Sequence, residues 1–168
     1  MPDPSARRRS AMPRLGRFAW LMGLYGENFV RLTRMFQPQA LSEGRYVSRG
    51  TDGLDLVVDV LALHPYTVEL RLSYRMRDAA TGQPDPSAYV RLYRDARQSE
   101  VTHCYVGRHW QDVLGLRPSV QAMVSHRLRM NGFLNKWLEY LEGQGHGPHS
   151  LAPADDPAPA DEKNVACA

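Results

Sequence analysis

The chain has 168 residues, 43% of them apolar and 23% charged, with a formal net charge of +3. That composition excludes a disordered polyelectrolyte and suits one globular domain, and two cysteines, Cys104 and Cys167, are too few for a disulfide-stapled secreted module. A reducing, cytoplasmic location is the expectation, and no run approaches the ~20 apolar residues needed to span a bilayer.

The first 14 residues read as a disordered basic N-terminus with an arginine cluster at Ala6–Ser10. The apolar run "FAWLMGLYG" after it imitates a signal peptide, but Glu27, Asn28 and Arg31 follow where small cleavage-site residues should stand. Elsewhere arginine is scattered, and lysine occurs only at Lys136 and Lys163. A coding bias toward arginine explains this more simply than phosphate recognition does.

From Leu15, the residues Leu15, Phe18, Met22, Tyr25, Phe29, Leu32 and Phe36 fall in steps of three and four, which lays one apolar stripe along a helix ended by Pro38. Gly16, Gly23 and Gly26 each weaken that helix by about 1 kcal/mol relative to alanine, so tertiary packing must hold it. Strands follow: "RYVSR" (45–49), the turn "GTDG", "LDLVVDVLAL" (54–63), a "HPY" turn, and "TVELRLSYRMRD" (67–78), whose clean alternation marks an antiparallel sheet with one wet face. After a Gly/Pro loop at 79–87, "YVRLYRDARQSEV" (89–101) makes the last hairpin. A two-residue turn at Ala96–Arg97 would set Tyr93 opposite Glu100 and Arg91 opposite Thr102, gathering Arg91, Tyr93, Asp95, Glu100, Thr102 and Cys104 on one face.

The stretch 107–119 is irregular, with room for a helical turn. A second helix is expected from Val120 to Glu142, with Ser119 as N-cap and Gly143 as stop, and an inward stripe of Val120, Val124, Leu128, Asn131, Leu134, Leu138 and Leu141. Residues 144–168 are Pro, Ala and acidic, without apolar period, and read as a disordered tail. The expected fold is therefore α+β: an antiparallel meander of about five strands packed on one face by an N-terminal and a C-terminal helix, in a single domain over residues 15–143.

Three segments, "NFVRLTRMFQP" (28–38), "VRLYRDARQSEV" (90–101) and "NGFLNKWLEYL" (131–141), in that order and spacing, resemble the YqiB-like family of small uncharacterised proteobacterial proteins, the domain of unknown function 1249. The resemblance runs from about Arg17 to Gly145 and implies a cytoplasmic α+β protein without an assigned activity. Both tails lie outside it.

The candidate site is the polar sheet face of Arg91, Tyr93, Asp95 and Glu100, joined by Asn28 and Asn131. Arg91 would offer a bidentate fork, Tyr93 a flat amphipathic contact, and Glu100 would orient Arg91. The plainer reading is a solvated face with Arg91 paired to Glu100 or Asp95 for about 1 kcal/mol at most. Asn131 stands where the helix stripe wants an apolar residue and must find partners, either a strand backbone group or a ligand shared with Asn28. The leading expectation is a non-catalytic binding or regulatory module that recognises a small anionic ligand or a partner protein.

Two alternatives remain. A small hydrolase-like enzyme would use Asp95 and Glu100 as acid and base, although no nucleophile elbow or phosphate loop accompanies them. A weak single-stranded nucleic-acid binder would use Arg71, Arg75, Arg91 and Arg94 beside Tyr66, Tyr74, Tyr89 and Tyr93, without the aromatic signature of that mode. No cofactor is expected, and no metal, because His103, Cys104, His109 and the "HGPH" segment do not form a ligand set.

Overall fold

A computed structural model describes residues 16–76, 79, 82, 86–105 and 119–155. The arginine cluster, the irregular 107–118 stretch with His109, and residues 156–168 with Cys167 lie outside the described residues. The elements run α1 (Arg17–Phe36), β1 (Gly44–Arg49), β2 (Asp55–Leu63), β3 (Thr67–Tyr74), β4 (Ser87–Tyr93), β5 (Gln98–Tyr105), α2 (Val120–Gly143) and β6 (Leu151–Pro153), with a 3-10 turn at Pro38–Ala40. All strands belong to one antiparallel sheet in the order β5-β4-β3-β2-β1-β6, and the two helices pack together and against it.

The fold is α+β, and the alternation of the strands decides which side chains enter its core. Leu56, Val58 and Val60 of β2, Val68, Leu70 and Leu72 of β3, Ala88, Val90 and Leu92 of β4 and Val101 of β5 are all buried toward the helices. Leu32, Met35 and Phe36 of α1 and Leu134, Trp137, Leu138 and Leu141 of α2 close that core. The Trp137 indole donates to the Tyr74 hydroxyl at 2.9 Å while the two rings meet edge to face.

The helices run parallel, although the whole meander separates them in the chain. Arg17 donates to Ser125 near both N-termini, Asn28 meets Asn131 and Asn135 midway, and Arg31 and Arg34 hold Glu142 near both C-termini. The buried line of α1 is Leu21, Tyr25, Asn28, Leu32, Met35 and Phe36, which corrects the expected stripe. Phe18 is 64% exposed, because the helix has turned to bring Asn28 into the helix–helix seam. In α2, Ser119 is the N-cap and accepts from the Ala122 N–H, and the inward stripe starts at Asn131 rather than Val120, which is 78% exposed.

The segment after Gly143 corrects the expected tail. The stop of α2 is Gly145 at φ +81, with the His146 N–H returning to the Leu141 carbonyl and the Gly145 N–H to Glu142. His146 is then buried, and Leu151–Pro153 adds a sixth strand to the edge of β1. Arg49 donates to the Ser150 carbonyl and Ala154 to the Arg45 carbonyl, so strand alternation turns Pro153 outward on the sheet's edge, where its missing N–H costs nothing and offers no donor to another strand.

Candidate functional site

The hairpin has a four-residue loop, Arg94–Arg97, and not a two-residue turn: Tyr93 pairs with Gln98, and Arg97 takes φ +53. Both lengths are even, so the parity that puts Arg91, Tyr93 and Glu100 on one face is kept, while the pairing shifts by two residues and sets Arg91 opposite Glu100. That shift corrects the expected Arg91–Thr102 pair, and a bulge between Tyr89 and Val90 then brings Tyr89 opposite His103 and leaves Thr102 without a paired residue. Asp95 sits in the exposed loop, outside the ladder.

Arg91 does not bind Glu100. Its neighbour on the other side is Glu69 of β3, and its Nε and Nη2 both donate to Glu69 Oε1, at 3.2 and 2.9 Å. Glu100 is held from two directions instead. The Tyr93 hydroxyl donates to its Oε1 at 2.6 Å, and Arg127 Nη1, reaching from α2, donates to its Oε2 at 2.7 Å. Burial and then the Glu100 carboxylate push the Tyr93 phenol above its ordinary value, which keeps it a donor. Arg127 also approaches the Tyr25 hydroxyl at 3.4 Å, and that contact leads those raising its pKa, against the pull of burial.

Asn28 and Asn131 lie directly behind this group and are fully buried. The Asn131 amide accepts from the Val101 N–H at 3.0 Å and donates to the Arg127 carbonyl at 2.9 Å. Asn28 donates to the Asn131 carbonyl and accepts from Asn135, at 3.0 and 2.9 Å. The two amides therefore seal the edge of β5 against the helices. Sequence reasoning missed Glu69, Arg127 and Tyr25. Arg127 had a signal: it precedes Asn131 by one helical turn, on the same side of α2.

A second polar row crosses the same face. Arg45, Asp59, Arg71, Tyr89 and His103 stand abreast on β1 to β5 in register. Asp59 is fully buried; Arg45 Nε donates to its Oδ1 at 2.8 Å, and Arg71 donates to its Oδ2 from Nε and Nη2 at 3.0 and 2.7 Å. Burial opposes the charge of Arg71, but Tyr89 and Asp59 outweigh it and hold its pKa above the ordinary value. The guanidinium also lies 5.9 Å from the centroid of the Tyr89 ring, which meets His103 edge to face.

A sheet with one apolar face closed by parallel helices and one face crossed by charged rows defines an α+β protein built around its sheet. A family model described as "Protein of unknown function (DUF1249)" matches residues 31–147, well over half of the chain. The chain belongs to that family. β6 lies beyond the matched residues. Comparison with curated proteins and with solved structures found no match. Among the described residues, no helix is long and apolar enough to cross a membrane, and no group of three His, Cys, Asp or Glu side chains is placed to hold a metal ion.

Proposed function

We propose that the protein is a non-catalytic cytoplasmic recognition module that takes an anionic group on the sheet face around Arg91. The observation that supports it most is the half-open state of that arginine: its side chain is 37% exposed, and Glu69, itself 33% exposed, engages it through a single oxygen. An exposed pair of this kind contributes about 1 kcal/mol or less and exchanges readily for a carboxylate or phosphate that offers two oxygens. Arg127 holds Glu100, Glu100 holds Tyr93, and Tyr93 also touches Arg91, so the two form a wall beside the fork.

A partner protein fits this face better than a small ligand, because a groove of small-molecule size lies at the other end of the sheet. The acid/base alternative loses support from the same geometry. Both oxygens of Glu100 are engaged, and Asp95 stands apart in the loop.

The test is affinity capture from the native cell with the wild-type chain and with Arg91→Glu, each checked by thermal melting. The reading expects a retained protein that is lost with Arg91→Glu and kept with Asp95→Asn. An identical set of captured proteins with and without Arg91→Glu would overturn it.

A further inference from the structure

Beyond the hairpin face, a groove of about 670 Å³ opens between the outward side of β1, the end of β3 and the segment carrying β6, lined among others by Val47, Arg49, Arg75, His149, Pro153 and Asp155. Its volume lies in the range of small-molecule sites. The alternation that sends Ser48 into the core turns Val47 and Arg49 to the opposite face. Arg49 pairs across to Asp55 in the ladder, and the Arg75 N–H donates to the Asp55 carbonyl at 3.2 Å, so the three residues lie abreast on neighbouring strands.

These arginines differ from the others around the sheet. Arg31, Arg45, Arg71, Arg91 and Arg127 each hold a carboxylate oxygen within 2.9 Å. Arg75 is 62% exposed and meets Asp55 only at 3.8 Å, and Arg49, also exposed, binds no carboxylate among the described residues. Asp55 offsets one of the two positive charges without saturating either fork.

We propose that this groove binds a sugar phosphate, free or as the ribose phosphate of a nucleotide. Arg49 and Arg75 rise from strands two spacings apart, about 10 Å at the backbone. A planar carboxylate is filled by one fork, whereas a tetrahedral phosphoryl group has three oxygens and accepts two forks from different directions. Asp155 at the rim accepts from sugar hydroxyls, and Val47, Ala152 and Pro153 supply an apolar wall for the body of the ligand. Val47, Arg49 and Arg75 lie within the family match, whereas β6 and Asp155 lie beyond it, so the groove joins a matched and an unmatched part of the chain.

Calorimetric titration of the full chain with ribose 5-phosphate, AMP, ribose and inorganic phosphate tests this. Ribose 5-phosphate and AMP are expected to bind at least tenfold more tightly than inorganic phosphate, and ribose not at all. Tighter binding of AMP than of ribose 5-phosphate would assign the nucleotide; equal binding would assign the sugar phosphate alone. Arg49→Gln with Arg75→Gln should weaken binding tenfold or more, Asp155→Asn should weaken ribose 5-phosphate but not inorganic phosphate, and Arg129→Gln, which removes one positive charge from exposed helix surface, should change nothing. All these variants alter exposed side chains, and a thermal melt checks their folding. The proposal is overturned if neither phosphorylated compound binds, or if the double arginine variant binds both as the wild type does.

Discussion

Two charged rows cross one face of the sheet, about 7 Å apart along the strands. In the first, Asp59 is fully buried between Arg45 and Arg71, and each of its oxygens has an arginine donor. In the second, Glu69 and Arg91 are each about a third exposed and share one oxygen. Both rows join arginine to a carboxylate, so burial and the number of donors, two arginines on Asp59 against one on Glu69, separate a pair that the fold depends on from one that is free to exchange. Water lowers the value of the exposed pair and also lowers the cost of breaking it, which is what a recognition surface requires.

The largest effect should follow from breaking the buried row. Asp59→Ala leaves the Arg71 charge buried without its counter-ion and is expected to cost about 3–5 kcal/mol in urea unfolding, while Asp59→Leu combined with Arg71→Met should recover a good part of the loss. A loss from Asp59→Ala below about 1 kcal/mol would place that row among the exchangeable pairs.

Next comes Asn131→Ala, which strips the Val101 N–H and the Arg127 carbonyl of their side-chain partner at the edge of β5. It should cost about 1–3 kcal/mol. Amide exchange would show the opening first at Val101. If β5 kept full protection in the variant, Asn131 would not be the seal of that edge.

A smaller effect is tied to pH. His146 Nδ1 lies 2.9 Å from Ser48 Oγ, which lies 2.7 Å from Ser150 Oγ, while Nε2 is buried without a partner against Gly50. Burial holds this imidazole below its ordinary value against the opposing pull of Asp52 and Asp55, and burial with Arg129 and Arg127 does the same to His126. A depressed histidine pKa means that the unfolded chain takes up more protons. Stability should therefore be complete above about pH 6.5 and fall as pH drops through that value toward the lower folded one. Urea melts from about pH 7.5 to 5.5 should show the decline, and His146→Gln should make it shallower. Least affected should be Arg91→Gln, at under about 1 kcal/mol by the same melts.

The side-chain directions behind this contrast were legible in the chain, but the burial of Asp59 and Arg71 was not, and it corrects the expectation of a face wet throughout. The alternation of "TVELRLSY" and "YVRLY" sets Leu70, Leu72, Val90 and Leu92 inward and Glu69, Arg71, Tyr89 and Arg91 to the opposite face, because side-chain period in a strand is fixed by geometry. Register was not legible, since the hydrophobic pattern tolerates any even shift, and a four-residue loop exchanged Thr102 for Glu100 opposite Arg91. The three-residue β6 carries too little pattern to be seen, and His146 and Ser150, both bonded to Ser48, help to hold it against β1. The exchange of Arg91's partner from Glu100 to Glu69 depends on which neighbouring strand the side chain leans toward, and sequence spacing carries no record of that.

Two double-mutant cycles run side by side, Asp59 with Arg71 and Glu69 with Arg91, measure the difference between the rows most directly. The account predicts a coupling of several kcal/mol for the buried pair and less than about 1 kcal/mol for the exposed one. Equal couplings, or a stronger one at Arg91, would contradict it.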